Sequence, residues 1–541
     1  MTSTGIQATV AAEGRFDGYV HAEADRLVDG RGTPLLMRGV GLGNWLLPEG
    51  YMWCFEGGPQ SPRQIEALIV DLVGPELARR FWRAFEDAFI TEADIARIAA
   101  EGFDHVRLPI NARGVIDDEG ALIDRGLELI DRTIEWCRAH GLWVILDLHG
   151  APGGQTGTNI DDSPRGRPEL FEDSRYRELT VALWRALAHR YVDETVVAGY
   201  DLLNEPLPEE WQHRYPDRLV DLYRELTGAI RAVDPHHLII YEGTHWATNW
   251  DIFTEVWDAN SMLQFHKYWS PPDRLSIRTF VTTGQRLGLP IYMGEGGENG
   301  LDWLQTAFQL YEDHGISWNL WPWKKVDTRT SPVSVVPPAG WDAIVAYAAG
   351  DGPRPDAEKA AAVLEALVEA MQLDACEYRT EVVHAVMRRA PLRLPAAGFG
   401  FRGASHSVSG TPLRGFRADD AVTVRVAGGA PEPETLVFRH VRGEERTPAE
   451  SFELVLQPGE WVVYEVNAGR PARFVVLVAV ADDGLGEPTV AIDGASLAIV
   501  HGGDGWSGEV ELGQGRHELR LGARSDACVV RHVEVRSAGS R

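Results

Sequence analysis

Two glutamates stand where short apolar segments of the sequence end. Glu205 closes the stretch VVAGYDLLNEP that starts at residue 196, and Pro206 after it has no N–H with which to continue a strand. Glu295 follows the apolar segment LPIYMG in the same way. Both carboxylates are therefore expected at the carboxyl ends of buried strands, which form the active-site face of a barrel of parallel strands. An isolated Asn-Glu-Pro more often caps a following helix. The rest of the sequence must therefore decide between a helix cap and a catalytic position.

Further polar or aromatic side chains stand at the ends of other predicted strands. They are Arg107, His149, Asn204, His266, Tyr268 and Trp321. Taken singly, each has a simpler explanation, because an Arg or His at a strand end is usually structural and a Trp usually belongs to the core. Together they converge on one barrel mouth, and no structural requirement calls for that set in that order. We therefore interpret them as substrate-binding residues.

Two carboxylates at one mouth are what glycoside hydrolysis requires. One of them protonates the leaving oxygen while the other attacks the sugar or activates water. We expect Glu205 to be the general acid/base with a raised pKa, because it follows an apolar strand. Glu295 is then the nucleophile, kept ionised by Arg107 and Tyr268. Strands four and seven of a barrel face each other obliquely, which suits the separation of roughly 5–5.5 Å found in retaining enzymes.

Eight apolar segments alternate with amphipathic helices before residue 325. The predicted strands span residues 37–43, 103–108, 142–148, 197–203, 237–241, 261–266, 289–294 and 315–321. Apolar residues at helical spacing predict helices at 118–139, 174–191 and 216–233. This alternation predicts parallel strands joined by right-handed crossovers, and hence an α/β fold of the (β/α)8 TIM-barrel type.

A doubly wound open sheet is the alternative fold. It is disfavoured because no Gly-rich phosphate turn follows any predicted strand. The nearest candidate, GVGLGN at 39–44, places Asn44 where a dinucleotide-binding turn needs its third glycine.

Two long insertions and one hairpin interrupt the alternation. The hairpin is predicted at 19–35 around Asp29-Gly30-Arg31-Gly32. Residues 46–98 separate the first two strands, and the Gly/Pro/Asp-rich residues 150–173 follow the third. Loops of this length at a catalytic face commonly shape a substrate pocket, with a disordered surface insertion as the alternative.

The C-terminal part of the chain has a different pattern. Helices are predicted at 355–373 and 376–388, packed outside the barrel, and Pro391 and Pro395 mark a boundary. We therefore predict a catalytic barrel over residues 1–390 and an all-β sandwich of the jelly-roll type over 391–541. Its predicted strands span 422–427, 436–440, 452–456, 461–466, 473–480, 489–492, 508–512, 517–521 and 528–536.

Composition excludes several classes of function. A net charge of −28 disfavours binding to nucleic acid or to anionic membranes, and no run of about 18 apolar residues could span a bilayer. The four cysteines, at 54, 137, 376 and 528, show no metal-ligand spacing, so we expect neither a metal nor a cofactor. The N-terminus lacks the pattern of an export signal, which favours the cytoplasm unless a leader has been removed.

Several stretches together resemble glycoside hydrolase family 5, whose members are retaining glycosidases of clan A. The matching stretches are RGVGLGNWL at 38–46, VRLP at 106–109, DLHGAPGGQ at 147–155, LNEP at 203–206, HKY at 266–268, GE at 294–295 and WPWK at 321–324. Two positions depart from the pattern: Gly41 stands where many members have Asn, and Gly296-Gly297-Glu298 stands where bulkier residues are common.

The resemblance assigns a role to each matching position. It implies that Glu205 is the acid/base and Glu295 the nucleophile, and that Asn204 binds the sugar 2-OH. Arg107 and Tyr268 would hold the nucleophile's carboxylate. The remaining family positions, which line the −1 subsite or form its stacking floor, are His149, His266 and Trp321.

The expected substrate is a β-linked glycoside. The opening motif and DLHGAPGGQ resemble the exo-β-1,3-glucanase branch, which implies removal of terminal sugars from β-glucosides or short β-glucans. Endo-β-glucanase, β-mannosidase, diglycosidase and glucosylceramidase-like activities remain open. The C-terminal domain resembles carbohydrate-binding modules of families 6 and 35, with Trp461 and Trp506 as its candidate aromatics. A structural lid or a dimerisation surface is the alternative role.

Two other classes compete with a glycosidase. A non-catalytic carbohydrate-binding barrel is disfavoured because both glutamates are present together with Asn204, His266 and Tyr268. A metal-dependent hydrolase would need clustered His and Asp ligands, whereas His236 and His237 are neighbours that point to opposite faces of a strand.

Overall fold

The chain divides into two compact units. The computed structural model describes residues 14–403, 405–407, 410–481, 486–503 and 505–539. The first unit contains the described residues up to Lys267 together with Phe280–Gly296 and Ser317–Tyr378. The second contains Tyr268–Thr279, Gly297–Ile316 and the described residues from Arg379 onward. It thus takes in two segments that precede residue 391, the predicted domain boundary.

The first unit begins with a small antiparallel sheet. Its three strands are β1 (His21–Glu23), β2 (Arg26–Val28) and β3 (Pro34–Leu35). The turn between β2 and β3 is stabilised by Asp29, whose carboxylate accepts hydrogen bonds from the N–H groups of Arg31 and Thr33. The predicted hairpin is present, with β1 as an additional strand.

Eight parallel strands then close into a barrel. They are β4 (Arg38–Gly41), β5 (His105–Asn111), β6 (Trp143–Gly150), β7 (Val197–Asp201), β8 (Leu238–Glu242), β9 (Ser261–His266), β10 (Ile291–Gly297) and β11 (Ser317–Trp321). Neighbouring strands pair in chain order, and β11 pairs with β4 to close the ring. Each strand overlaps a predicted one, so the predicted TIM barrel is confirmed.

The apolar core at the amino-terminal end of the barrel includes residues of the N-terminal sheet. Val20 and Leu27 pack with Met37, Trp143 and Leu238, which stand at or beside the starts of barrel strands. Burial of these apolar side chains therefore seals one end of the barrel. The other end, where the strands finish, is left for polar side chains.

Ten α-helices accompany the strands in the described residues. They are α1 (Pro62–Ala88), α2 (Glu92–Ala100), α3 (Asp124–His140), α4 (Ser174–Tyr191), α5 (Pro216–Arg231), α6 (Arg274–Leu287), α7 (Leu301–Asp313), α8 (Trp341–Ala348), α9 (Ala357–Ala370) and α10 (Thr380–Met387). The helix α3 begins later than predicted because Asp117 accepts hydrogen bonds from Glu119 and Ala121 and forms a turn first. None of the described helices is both long and apolar enough to cross a bilayer.

The two insertions differ in structure. Residues 46–98 are largely helical, because α1 and much of α2 lie there, so the expectation of a long pocket loop is wrong for most of this insertion. Residues 150–173 form a true loop with one short 3-10 turn at Glu169–Phe171. Asp161 orders this loop by accepting hydrogen bonds from the N–H groups of Thr156 and Gly157 at 2.7 and 3.0 Å.

A small sheet completes the first unit. It joins β12 (Lys324–Val326), β13 (Val333–Val335) and β14 (Glu377–Tyr378). In the same unit, α9 packs against α1, in agreement with its prediction as a helix outside the barrel.

The second unit contains a sandwich of two antiparallel sheets. Its strands are β15 (Leu392–Pro395), β16 (His406–Ser407), β17 (Thr423–Val426), β18 (Phe452–Leu456), β19 (Trp461–Ala468), β20 (Ala472–Val480), β21 (Pro488–Ile492), β22 (Ala495–Leu497), β23 (Val500–Gly502), β24 (Gly505–Leu512), β25 (Gly515–Ala523) and β26 (Cys528–Ser537). One sheet runs β17-β18-β26-β20-β24-β23, with β15 also paired to β26, and the other runs β16-β19-β25-β21-β22. This confirms the predicted all-β sandwich.

One predicted strand of the sandwich, at 436–440, is wrong. The segment is irregular, although Phe438 and His440 are buried on alternate positions as in a strand. Phe438 packs its ring against Phe416 and Phe452, and its carbonyl accepts a hydrogen bond from the Asn299 side chain at 2.6 Å. A side-chain donor therefore satisfies the backbone where a neighbouring strand was expected.

Candidate active site

The carboxyl ends of the barrel strands bring a dense set of polar side chains together. The strand residues are Arg107 on β5, Asp147 and His149 on β6, Asp201 on β7, Glu242 on β8, Gln264 and His266 on β9, Glu295 on β10 and Trp321 on β11. Asn204 and Glu205 follow β7, and all of these side chains are buried. Alternate residues of a strand share a face, so Asp147 and His149 point the same way, as do Gln264 and His266.

The two predicted catalytic glutamates lie beside the same histidine. Oε1 of Glu205 is 2.6 Å from Nδ1 of His266, and Oε2 of Glu295 is 3.7 Å from that nitrogen. An oxygen of each carboxylate lies within 4.8 Å of the other. Inverting glycosidases keep their carboxyl groups roughly 6.5–9.5 Å apart to admit a water molecule, whereas retaining enzymes need about 5–5.5 Å. The geometry therefore fits direct attack on a sugar.

Glu205 is held from its backbone as well as from its side chain. Its φ of +47° lies in the left-handed region that non-glycine residues seldom adopt. Its N–H donates a hydrogen bond to Oε2 of Glu242 at 2.7 Å. On the preceding residue, the N–H of Asn204 donates to the carbonyl of Leu148 at 3.0 Å, and the Asn204 carbonyl accepts from the Gln155 side chain at 3.0 Å. The segment is thus tied to β6, to β8 and to the 150–173 loop.

Arg107 is the central cation of the site. Its fully buried guanidinium contacts the Glu295 carboxylate through Nη1. It also donates to Asp201 at 2.8 Å, to Oδ1 of Asn204 at 2.9 Å and to Glu242 at 3.1 Å. Such charge-assisted hydrogen bonds fix the planar group in one orientation. Arg107 therefore positions both Glu295 and Asn204.

Carboxyl groups outnumber cations in this cluster, so not all of them ionise. Burial raises the pKa of Asp147 to about 8 and raises that of Asp201 well above its usual range, against the opposing effect of Arg107. Burial disfavours the charged form of His266, but Glu242 and Glu295 outweigh it and raise its pKa well above the usual value. The protonated form of His266 is therefore favoured, and its Nδ1–H donates to Glu205 at 2.6 Å.

Glu295 is a third carboxyl group of the site with a raised pKa. Burial raises the pKa of Glu295, although the charges of His266 and Arg107 oppose the shift. The raised pKa that the sequence predicts for Glu205 stays a prediction. Glu295 lies on a strand and is 4% exposed, whereas Glu205 follows its strand and is 9% exposed, so water reaches Glu205 more readily.

His149 and Trp321 form a stacked pair at the same site. Their ring centroids are 5.4 Å apart with an interplanar angle of 10°. Burial lowers the pKa of His149 to about 4, so the ring is neutral. Its Nδ1–H donates to Asp147 at 2.7 Å, which leaves Nε2 to accept from the Asn204 side chain at 3.3 Å. The indole N–H of Trp321 donates to the Tyr51 hydroxyl at 3.2 Å.

Tyr268 is the one predicted site residue outside the first unit. It follows β9 by two residues and belongs to the segment Tyr268–Thr279 of the second unit. Its ring packs against Trp269 with centroids 5.4 Å apart. The contact with Glu295 that the sequence predicts stays a prediction. The other seven predicted residues, including both glutamates, are gathered in the first unit.

Four residues of the cluster were not predicted from the sequence. They are Asp147, Asp201, Glu242 and Gln264. Three of them are polar residues inside predicted apolar strands, which is itself a signal of a buried polar network. The predicted fifth strand ends at residue 241, one residue short of Glu242, so this strand contributes no tip residue to the predicted set.

A metal ion is not required to explain the cluster. Among the described residues, one group has ligand-type atoms close enough to hold an ion, namely Glu205, His266 and Glu295. Nδ1 of His266 already lies beside a carboxylate oxygen of each glutamate, which accounts for the proximity of the three residues. Our expectation that the protein uses no metal stays a prediction.

A closed (β/α)8 barrel with two close carboxylates at the strand ends defines the class of a retaining glycoside hydrolase. Comparison with known proteins agrees. A family model described as cellulase of glycosyl hydrolase family 5 matches residues 71–327. A β-xylosidase from Phanerodontia chrysosporium is 34% identical over 347 residues, and the match covers 57% of this chain and 71% of that protein. The chain therefore belongs to glycoside hydrolase family 5.

Other proteins that are similar to this chain are named as enzymes with other substrates. The probable glucan 1,3-β-glucosidase A of Aspergillus clavatus is 31% identical over 238 residues, covering 43% of this chain and 55% of its own length. Among solved structures, an endogalactoceramidase matches at 16% identity with a TM-score of 0.49, covering 95% of this chain and 99% of that one.

Proposed function

We propose that the protein removes terminal sugars from β-glucosides or short β-glucan oligosaccharides by double displacement. Glu295 is the nucleophile and Glu205 the general acid/base. The proposal is carried by one observation, the placement of both carboxylates around His266 with Arg107 in contact with Glu295. Glu295 alone of the two carboxylates contacts the fixed guanidinium, which would stabilise it as an attacking anion.

The first step forms a covalent bond between an Oε atom of Glu295 and the anomeric carbon. The bond from that carbon to the leaving oxygen breaks as Glu205 gives that oxygen a proton. His266 and Arg107 supply the positive charge that favours an ionised Glu295 over the neutral acid that burial favours. In the second step, Glu205 takes a proton from water, the resulting hydroxide attacks the same carbon, and Glu295 leaves. Two inversions give net retention.

Neighbouring side chains would bind the sugar during both steps. Asn204 is oriented by Arg107 and by the neutral His149, so its amide is available to a hydroxyl at fixed geometry. Trp321 offers a flat ring as the floor of the −1 subsite. Hydrogen bonds that tighten as charge develops on the ring would stabilise the transition state more than the ground state.

Two observations favour an exo-acting glucosidase over an endo-acting enzyme. The 150–173 loop is ordered by Asp161 and is attached to Asn204 through Gln155, which places a fixed loop beside the acid/base. The relative from Aspergillus clavatus is named a glucan 1,3-β-glucosidase. A β-xylosidase is the second candidate, because the relative of that name matches the chain over a longer stretch. Endo-β-glucanase and β-mannosidase activities are tested beside them, and a glucosylceramide substrate tests the glucosylceramidase-like alternative.

The decisive experiment measures both specificity and stereochemistry. Aryl β-glucoside, β-xyloside, β-mannoside and β-galactoside are compared by kcat/KM, and short β-1,3- and β-1,4-glucans are digested. We expect the glucoside to be preferred, glucose to be the first product from the oligosaccharides, and the β-anomer to appear first by proton NMR. Oligosaccharides of mixed length as first products would contradict exo action, and an initial α-anomer would contradict double displacement.

A further inference from the structure

The second unit contains a cavity whose lining includes none of the candidate active-site residues. Its volume is about 310 Å3, and it is lined by residues of α7, of β15 and of the sandwich, all within the second unit. A water molecule occupies roughly 30 Å3 in the liquid, so the space would hold an organic molecule rather than a single ion or water. One wall includes three phenylalanines, Phe416, Phe438 and Phe452.

The charged groups of this cavity do not balance. Its cations are Arg393, Arg446 and Arg531, and its acids are Asp302 and Glu453. Each acid has its own partner: Asp302 lies 3.4 Å from Arg393, and Glu453 lies 2.9 Å from Arg425. Among the described residues, the guanidinium groups of Arg446 and Arg531 therefore remain in the lining without a carboxylate at ion-pair distance. This positive excess occurs in a chain whose net charge is −28.

Arg446 is the more informative of the two remaining cations. Its side chain is half-buried, and within the described part of the chain it makes neither a hydrogen bond nor an ion pair. Burial lowers its pKa and the nearby Arg393 adds to that shift, whereas the more distant charges of Asp302 and Glu450 oppose it without forming an ion pair. A buried charge without a partner costs free energy that folding alone does not recover, so it is retained where something else pairs with it. Arg531 is exposed and can approach the same anion without such a cost.

We propose that this cavity binds a small organic anion, whose carboxylate or phosphate pairs with Arg446 and Arg531 and whose apolar part packs on the three phenylalanines. The arrangement combines charge-assisted hydrogen bonds at one end with apolar contact at the other, which is the usual composition of a ligand pocket. The site is separate from the glycosidase chemistry and does not depend on the proposed substrate.

The test uses the full chain and three probes of similar size. Benzoate supplies a carboxylate, phenyl phosphate supplies a phosphate ester, and benzyl alcohol is the neutral match. Calorimetric titration at low ionic strength is appropriate because salt screens exposed charges such as Arg531. We expect saturable binding of at least one anion, with benzyl alcohol about tenfold weaker or worse. The anion that binds more tightly identifies which charged group the site prefers.

Substitutions separate ligand binding from a structural role. Arg446→Gln and Arg531→Gln should each weaken anion binding by about tenfold. Arg520→Gln is the matched control, because Arg520 lies on β25 over the ring of Trp461, outside the cavity lining. Without ligand, Arg446→Gln should have a Tm equal to or above that of the native chain, since it removes an unpaired charge.

Three results would overturn the proposal. The first is no saturable binding of either anion at millimolar concentration. The second is equal affinity of the native chain and the Arg446→Gln variant. The third is a lower Tm of Arg446→Gln without ligand, because Arg446 would then stabilise the fold and would need no anion.

Discussion

Glu205 has a backbone conformation that costs free energy, and Glu242 accounts for its persistence. A non-glycine residue in the left-handed region costs about 1–3 kcal/mol unless its surroundings hold it there. Glu242 accepts the N–H of Glu205 at 2.7 Å and, through its other oxygen, accepts from Arg107. Burial opposes the ionised form of Glu242, but His266 and Arg107 outweigh it and lower the pKa of this carboxyl. We therefore regard Glu242 as a positioning residue.

Replacing Glu242 with Gln is expected to reduce kcat by about tenfold to hundredfold with little change in KM. The amide weakens the hydrogen bond to Glu205 and removes the negative charge that helps to keep His266 protonated, so the acid/base is less well placed. The pKa of His266 should fall, and the alkaline limb of the kcat/KM profile should move to lower pH.

The control for this prediction is Glu255→Gln, which breaks an exposed ion pair with Arg224. It should leave the profile where it is. If Glu242→Gln lowers the Tm but leaves the pH profile unchanged, Glu242 has a structural role alone.

The two catalytic glutamates can be told apart by azide. Glu295→Ala should reduce hydrolysis of an activated aryl β-glycoside on the order of 10³-fold or more, because no nucleophile remains. Azide entering the vacated space should give the α-glycosyl azide. Glu205→Ala should still form the glycosyl-enzyme from an activated substrate, and azide should then give the β-glycosyl azide.

Product stereochemistry is read by NMR, with Glu76→Ala, at an exposed surface pair, as the control. The same anomer of the azide from both variants would contradict the assignment of roles. Unchanged turnover in Glu295→Ala would show that Glu295 is not the nucleophile.

At the scale of the element, the end of β4 and the residues that follow it pack closely against the ring of Trp321. A Cβ atom on Gly41 would lie 2.5 Å from Cε3 of that ring. A Cβ atom on Gly43 would lie 2.7 Å from Cη2 and Cζ2 of the same ring. Gly41 departs from the pattern of glycoside hydrolase family 5, because many members have Asn at this position. The close approach supplies a physical reason, because in this chain a side chain at 41 and the present position of Trp321 exclude each other.

Gly41→Ala should therefore displace the floor of the proposed −1 subsite. We expect kcat/KM to fall by about tenfold, since a displacement of about 1 Å at a binding surface is costly to catalysis. Gly228→Ala is the matched control, because a Cβ there meets open space on α5. Equal kcat/KM values for Gly41→Ala and the native chain would show that Trp321 does not contact the reacting sugar.

The elements show what the sequence can predict and where it stops. All eight barrel strands are found because strands buried on both faces give apolar runs, and seven tip residues are found because such runs end abruptly. The failures have local causes. Residues 436–440 alternate in burial without strand pairing, and Glu242 falls one residue past a predicted strand end. The raised pKa of Glu295 was not predicted, because it depends on burial and on charges from other strands, which no local sequence pattern records.

At the scale of the whole molecule, the barrel buries a histidine that stays neutral. His105 is fully buried in β5, and its Nε2 lies 2.7 Å from the Tyr292 hydroxyl on β10. Burial lowers its pKa to about 3, with Arg15 and Arg107 adding to the shift. An unfolded histidine titrates at roughly 6.5. Between these two values the unfolded chain binds a proton that the folded chain does not, so His105 makes stability fall as pH falls from about 6.5 toward 3.

The His105→Gln variant should remove this contribution to acid sensitivity. The free energy of unfolding of the native chain should decrease more steeply with falling pH than that of the variant, by up to about 1.4 kcal/mol per pH unit. The difference is measured by urea unfolding at several pH values between 6 and about 4, followed by tryptophan fluorescence. His189→Gln, on an exposed part of α4, is the control and should keep the native slope. Because the many other titrating groups of this acidic chain are common to both proteins, they cancel in the comparison. Parallel slopes for the native chain and His105→Gln would mean that His105 takes up its proton equally in both states, and that the barrel opens to water before it unfolds.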